Sequence, residues 1–97
     1  MITVTAAPPT NQAPVARFTV NCVGQAYPHQ CALDASSSSD DAGITSYAWN
    51  WGNGRTETKL SPYAKNTWVA AGSYTITLTV RDGGGLTNSL SIVVNVP

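Results

Sequence analysis

Few side chains in this sequence are of the types that carry out catalysis. His29 is the single histidine, and no nearby carboxylate accompanies it, so it cannot form a zinc site or a nucleophile–base pair locally. Serines cluster at residues 36–39, but none lies in the Gly-x-Ser-x-Gly motif that exposes a nucleophilic serine. The sequence therefore predicts a protein that is not an enzyme.

The two cysteines are placed to form a disulfide. Cys22 and Cys31 flank a loop that contains Gly24 and Pro28, and their closeness in sequence makes an intrachain bridge easy to close. A bridge over so short a loop would contribute roughly 2 to 3 kcal/mol to stability. Two buried free thiols in a cytosolic protein are the alternative. The disulfide is the favoured interpretation, and it predicts an oxidising, extracellular location for a secreted protein.

Several oxygen-bearing side chains could hold a hard cation. Asp40 and Asp41 lie in a serine-rich loop, and they could meet Asp82 and the side chain of Asn11 near one end of the folded domain. Carboxylate and amide oxygens are ligands that calcium takes. The alternative is a solvated loop in which Asp40 or Asp41 caps a turn. The sequence requires no cofactor, and calcium is the one candidate that it offers.

Aromatic rings offer a route to binding an insoluble polymer, because an exposed planar ring can lie against a sugar face or a proline-rich triple helix. Trp51 lies at the end of a strand, where its indole could protrude, and Trp68 is followed by small residues that would leave its ring half covered. Tyr27 and Tyr63 adjoin prolines in loops. We predict a polymer-binding surface that includes Trp51, Trp68, Tyr27 and Tyr63; for each ring, packing under a loop is the alternative.

One stretch organises the elements that must position these side chains. Tyr47, Trp49 and Trp51 alternate along one face of a strand, which runs directly into the sequence Gly-Asn-Gly at residues 52–54. Each large aromatic ring can bury about 150 to 250 Å², so this face needs an opposing sheet. We therefore predict that Trp49 is a core residue and that a tight turn ends the strand.

The rest of the chain shows the alternation of β-strands. Residues 74–80 are apolar at even positions and threonine at odd positions, which predicts a sheet with one solvated face. Residues 55–59 fit a short charged edge, and residues 63–69 fit either a strand or an irregular crossover. No helical periodicity persists for about 10 to 12 residues. About seven short strands predict an all-β fold, a two-sheet antiparallel sandwich.

Length and charge bound the remaining possibilities. The 97 residues suffice for one domain. Five basic residues balance five acidic ones, so neither nucleic acid nor an acidic membrane surface is an expected partner. Residues 1–12 are rich in proline and small side chains and are interpreted as a linker or the tail of a preceding domain, with the β-domain at residues 13–97. No membrane helix or signal peptide is evident, so Met1 is expected to begin a fragment of a larger exported protein.

Four segments give the chain a resemblance to the PKD domain, the immunoglobulin-like module named after polycystic kidney disease. The segments are residues 14–16, 46–49, 49–54 and 72–82. The family hexad is usually Trp-Asp-Phe-Gly-Asp-Gly, so this chain departs from it at Asn50, Trp51 and Asn53. The resemblance implies a β-sandwich with Trp49 in its core and with Tyr74 in a position similar to the tyrosine corner of other sandwiches.

The resemblance also implies a setting and a function. Bacterial PKD domains often occur as accessory modules in secreted proteases, collagenases and chitinases. We therefore expect a non-catalytic module of a secreted hydrolase, with a protease favoured, that binds an insoluble polymer such as collagen or chitin. Calcium binding by some collagenase PKD domains is similar to the cation site expected above. The alternative is a structural spacer or protein–protein interaction module that holds neighbouring domains of the same chain apart.

Overall fold

The computed structural model describes residues 12–97, which form an antiparallel β-sandwich. No helix in this range is long and apolar enough to cross a membrane. The strands of the described residues are β1 (Thr19–Asn21), β2 (Gln30–Asp34), β3 (Ile44–Asn50), β4 (Thr56–Lys59), β5 (Tyr63–Thr67), β6 (Gly72–Asp82) and β7 (Thr87–Val96). The predicted fold class is confirmed, and residues 63–67 are a strand. Of the predicted linker at residues 1–12, residues 1–11 lie outside the described part of the chain.

The strands form two sheets that face each other. One sheet has the order β1-β2-β5, and the other has the order β4-β3-β6-β7. All neighbours within the sheets are antiparallel, and the pairing of β6 with β7 runs over ten residues without a shift in register. The connection from β4 to β5 passes from an edge of one sheet to an edge of the other, so Lys59 ends beside the three-stranded sheet.

The core lies between the two sheets and follows the alternation of the sequence. Along β6, the even-numbered residues 76–80 are fully buried, while the threonines between them lie on the outer face. Apolar burial of this kind is the main stabilising contribution to such a fold. The buried core residues are Ala16, Phe18, Cys31, Leu33, Ala35, Tyr47, Trp49, Trp51, Ala64, Trp68, Ile76, Leu78, Val80, Val94 and Val96.

The hexad at residues 49–54 forms the turn between β3 and β4. The Asn50 Oδ1 atom accepts a hydrogen bond from the backbone N–H of Gly52 at 3.0 Å. Asn53 Oδ1 accepts one from the N–H of Arg55, also at 3.0 Å. An asparagine side-chain oxygen can make these local turn bonds as an aspartate would. The two departures from the family's acidic residues therefore keep the acceptors that shape this turn.

Gly52 is required by the geometry of this turn. Its φ is +76°, in the left-handed region, and a Cβ atom at this position would lie 2.5 Å from the backbone oxygen of Thr75 on β6. Real Cβ atoms essentially never approach backbone so closely, and the left-handed region is costly for other residues. The turn can therefore pack directly on β6 because it has no side chain at Gly52.

Two further predictions about local structure are confirmed. Cys22 and Cys31 form a disulfide that joins the ends of the antiparallel β1–β2 pair. The hydroxyl of Tyr74, near the start of β6, donates a hydrogen bond to the backbone oxygen of Ala70 at 2.7 Å. This is the bond that defines a tyrosine corner in immunoglobulin-like sandwiches.

Candidate functional site

Trp51 and Trp68 are not exposed, so the prediction that their rings form an accessible platform is wrong. Each side chain is 2% exposed. Trp51 keeps the inward alternation of β3 beyond the end of the strand, and its ring stacks on Trp49 with centroids 5.3 Å apart. The Nε1 atom of Trp68 donates a hydrogen bond to the backbone oxygen of Trp51 at 3.0 Å. Both indoles are core residues because the two sheets enclose the end of β3.

Four buried aromatic rings and the partly buried ring of Tyr74 form a continuous row through the sandwich. Neighbouring rings lie 5.2 to 6.0 Å apart between centroids, in edge-to-face, stacked and tilted arrangements. Aromatic pairs with this spacing contribute about 0.5 to 1.5 kcal/mol each beyond their buried area. The row consists of Phe18, Trp49, Trp51, Trp68 and Tyr74. All three indoles of the chain are thus accounted for by packing within the sandwich.

Tyr27 and Tyr63 are exposed as predicted, but they lie at different ends of the sandwich. Their side chains are 65% and 59% exposed. Tyr63 lies opposite Asp34 at one end of β2, whereas Tyr27 is in the disulfide loop beyond the other end, at Gln30. Four residues of strand separate these ends by about 13 Å. The two rings are therefore not neighbours, and a binding role for either stays a prediction.

Tyr63 lies at a concave surface on the outer face of the three-stranded sheet. The concavity has a volume of about 670 Å³. Two transverse rows of residues cross it, namely Thr19, Asp34 and Tyr63 in one row and Asn21, Ala32 and Lys65 in the next. Because Ala32 is small, it leaves a hollow between its longer neighbours. Lys59 closes the flank, and the full lining is Thr19, Asn21, Ala32, Leu33, Asp34, Lys59, Tyr63, Ala64 and Lys65.

The concave surface offers charges of both signs beside its one aromatic ring. Hydrogen bonds from the side chain and the backbone N–H of Ser36 hold the pKa of the Asp34 carboxyl below its usual value. Asp34 is therefore ionised at neutral pH. Lys59 lies 3.7 Å from Glu57, an exposed ion pair of the kind that contributes little to stability. A ligand could thus displace Glu57 from Lys59 at small cost.

The acidic residues proposed as calcium ligands have separate local roles. Asp82 is buried, and its Oδ1 atom accepts hydrogen bonds from the N–H groups of Gly84 and Leu86, both at 2.9 Å. It thereby fixes the turn between β6 and β7. This engagement leaves Asp82 Oδ1 poorly suited to a metal ion.

Asp40 fits a cation site better than Asp82 does. Its Oδ2 atom accepts a hydrogen bond from the N–H of Ala42, while its Oδ1 atom is buried without a hydrogen-bond partner in the described part of the chain. Asp41 is exposed in the same loop. Residues 12–97 contain no group of three His, Cys, Asp or Glu side chains placed to hold a metal ion. Asn11 lies outside the described residues, so calcium binding stays a prediction.

His29 has a structural contact that accounts for its position. Its Nδ1 atom donates a hydrogen bond to the backbone oxygen of Pro97 at 2.8 Å, and its own backbone oxygen accepts one from Trp68 at 2.9 Å. These contacts hold the disulfide loop against the residue that follows β7 and the residue that follows β5. They give His29 a part in connecting three segments at one end of the sandwich.

Sequence reasoning did not identify the residues that surround Tyr63. Lys65 lies two positions after Tyr63, and the alternation of β5 could have placed both on one face. Asp34, Ala32 and Asn21 come from other strands, and their alignment with β5 depends on register. Local pattern does not encode that register.

Together, the fold and the surface define a class of protein. The described residues form an immunoglobulin-like sandwich with a tyrosine corner, a pinned β1–β2 hairpin and a solvent-exposed concave surface. Residues 11–96 match the family model of the PKD domain, and the chain belongs to that family.

Comparison with curated and solved proteins places this chain among domains of larger proteins. It is 42% identical over 91 residues to the pre-pro-metalloprotease PrtV of Vibrio cholerae serotype O1, covering 90% of this chain and 9% of that protein. It is 36% identical over 101 residues to the dyslexia-associated protein KIAA0319 homolog of Rattus norvegicus, covering 99% of this chain and 9% of that protein. The chain therefore spans a small part of the relatives that it matches.

Two solved structures support the assignment to the PKD family and the sandwich fold. The PKD1 domain of the Vibrio cholerae metalloprotease PrtV has a TM-score of 0.73 and 35% identity, with 88% of this chain and 98% of that chain covered. A second solved structure comes from a study of the promiscuous specificity of carbohydrate-binding modules from the β-sandwich superfamily. It has a TM-score of 0.81 and 31% identity to this chain. That match covers 90% of this chain and 35% of the other.

Proposed function

We propose that this domain is a non-catalytic accessory module of a secreted hydrolase of the protease class, and that it binds an insoluble polymeric substrate such as collagen. The observation that carries the proposal is the concave surface beside the exposed ring of Tyr63. The relationship to a metalloprotease precursor supports the parent enzyme, and the likeness to a 35% part of a chain from a study of carbohydrate-binding modules supports a setting with a polymer ligand.

The chemistry of the concave surface suits a polymer chain. The Tyr63 ring is more than half exposed, so it can lie against a sugar ring or a prolyl ring at low conformational cost. Ala32 leaves room beside it, and the side chains of Asn21 and Lys65 can form hydrogen bonds with hydroxyl or carbonyl groups of the ligand. Such a surface would position a chain across β1, β2 and β5.

A non-catalytic role is part of the same proposal. The Nδ1 atom of His29 is engaged with Pro97, and both cysteines are consumed by their disulfide. The single histidine and both thiols are thus occupied by structural contacts. Chemistry on the polymer would then be performed by another domain of the parent protein.

Adsorption to insoluble polymers tests this function. Depletion of the domain from solution would be measured over collagen, chitin and cellulose for the wild type, Tyr63→Ala and Tyr27→Ala, with thermal melts of each. We expect the wild type to bind at least one polymer, Tyr63→Ala to lose most of this binding, and Tyr27→Ala to retain it. Equal binding by Tyr63→Ala and the wild type would contradict the assignment to the concave surface.

A second candidate function is that of a spacer that contacts a neighbouring domain. Val23, Tyr27 and Val69 are 82%, 65% and 95% exposed, and all three lie at the disulfide-loop end of the sandwich, where Trp68 bonds to His29. Apolar side chains exposed together are typical of contact surfaces between proteins or domains. Failure to adsorb to all three polymers, with a changed melting temperature when a neighbouring domain is attached, would favour this function.

We also propose calcium binding at the β2–β3 loop, on the strength of the buried, unpartnered Oδ1 atom of Asp40. A bound cation would stabilise the folded state by an amount that rises with the logarithm of one plus the ratio of its concentration to its dissociation constant. We expect calcium to raise the melting temperature of the wild type and to have less effect on Asp40→Asn, while Asp34→Asn responds as the wild type does. Equal melting in calcium and in a chelator would instead indicate a solvated loop.

A further inference from the structure

Three of the four edge strands formed by residues 12–97 have features that hinder pairing with other chains. β1 has three residues, β4 has four residues with Glu57 and Lys59 among them, and β5 has five residues with Lys65 among them. Short length and charge are the usual protections of a sheet edge. The edge at β7 differs, because its ten residues include no charged side chain and no proline.

β7 is also regular along its whole length. It pairs with β6 from Thr87 opposite Arg81 to Val96 opposite Gly72, without a bulge. Within the described residues, β6 is its one strand neighbour. In an antiparallel strand, alternate residues direct their N–H and C=O groups away from the existing partner. β7 therefore presents a row of backbone donors and acceptors about 30 Å long.

The side chains that flank this edge are small or apolar on both faces of the sheet. On the outer face, the hydroxyls of Ser89 and Ser91 are hydrogen-bonded to Thr79 and Thr77 at 2.7 and 2.8 Å, and Val93 is 66% exposed. A sheet edge that selects a foreign peptide needs side-chain pockets beside it. The concave surface beside Tyr63 lies on the other sheet. The edge of β7 thus favours a partner with matching small side chains.

We propose that β7 pairs antiparallel with β7 of a second copy of this chain, joining the two four-stranded sheets into one across a twofold axis. An axis at Ser91 sets Ser89 opposite Val93 on the outer face and Leu90 opposite Ile92 on the inner face. No like charges meet along the seam. The outward N–H groups of each copy pair with the outward C=O groups of the other. The half-buried side chains of Leu90 and Ile92 become covered along the seam.

Sedimentation velocity over a range of concentrations, with Ser91→Lys as the variant, tests this pairing. Lysines in the two copies would lie near each other at the seam, so we expect about a tenfold or greater increase in the dimer dissociation constant. Thr58→Lys is the matched control, because it adds the same charge at the opposite edge of the same sheet on β4. Thermal melts establish that all three proteins are folded.

The outcomes separate clearly. A dimer that Ser91→Lys dissociates and Thr58→Lys leaves intact supports pairing through β7. Hydrogen exchange should then show alternate amides of β7 protected in the dimer and exchanging faster on dilution. A wild type that stays monomeric at the highest concentration, or a dimer weakened equally by both lysines, overturns the proposal.

Discussion

At the scale of single residues, the turn after β3 shows how one atom decides which residue a position accepts. Gly52 and Gly54 both have positive φ, at +76° and +87°. A Cβ at Gly54 would meet nothing within 4 Å, whereas one at Gly52 would meet the backbone of Thr75. The two positions thus share a backbone conformation and differ in the space around it.

This difference gives a matched pair of variants. We expect Gly54→Ala to cost on the order of 1 kcal/mol, from the left-handed backbone alone. Gly52→Ala should cost more, on the order of 3 kcal/mol, because β6 must also move away from the turn. Urea unfolding of both variants measures the difference. Equal losses of stability would mean that the contact with Thr75 relaxes freely.

A second residue-scale prediction concerns acid. The pKa of Asp34 is lowered in the folded state by Ser36, so this contact stabilises the fold above the usual aspartate pKa of about 3.9 and is lost as pH falls through the lowered value. Ser36→Ala should therefore lower stability at neutral pH and lose that effect in strong acid. Urea unfolding across this range, with the exposed neighbour Ser37→Ala as control, checks the sign. A Ser36→Ala effect that persists in strong acid would contradict it.

At the scale of elements, alternation predicted which side chains of each strand face the core. It did not predict how deeply the residues at the strand ends are buried. The parity of Trp51 pointed inward, and the possibility that it protrudes came from its place at the end of β3. The structure buries it because Trp68, from the segment after β5, closes over it through the bond to its backbone oxygen. Contacts between segments so far apart in sequence are not present in any local pattern.

The aromatic row makes its own prediction about stability. Trp68→Ala removes a fully buried indole and the hydrogen bond to Trp51, so we expect a loss of about 3 to 5 kcal/mol. Tyr63→Ala removes an exposed ring and should change stability by less than about 0.5 kcal/mol. Chemical denaturation compares them. A small loss for Trp68→Ala would place its ring outside the core.

At the scale of the whole molecule, the sandwich class followed from strand count and turn residues, and the disulfide followed from the spacing of its cysteines. The concave surface did not, because it depends on how β2 aligns with β5. Asp34 opposite Tyr63 and Ala32 opposite Lys65 are consequences of register between strands far apart in sequence. The neutral net charge likewise says nothing of where the lysines gather. Lys59 and Lys65 both line this surface because the folded strands bring them to it.

The stacked pair in the core also gives the protein an optical signature. The indoles of Trp49 and Trp51 are parallel within 4° at a centroid separation of 5.3 Å, close enough for their electronic transitions to couple. Coupled chromophores in a fixed asymmetric arrangement produce a pair of circular dichroism bands of opposite sign. We expect such a couplet in the ultraviolet spectrum and its absence in Trp51→Phe. Its loss during unfolding would report the separation of Trp51 from the indoles beside it, Trp49 and Trp68, independently of the signal from the β-strands.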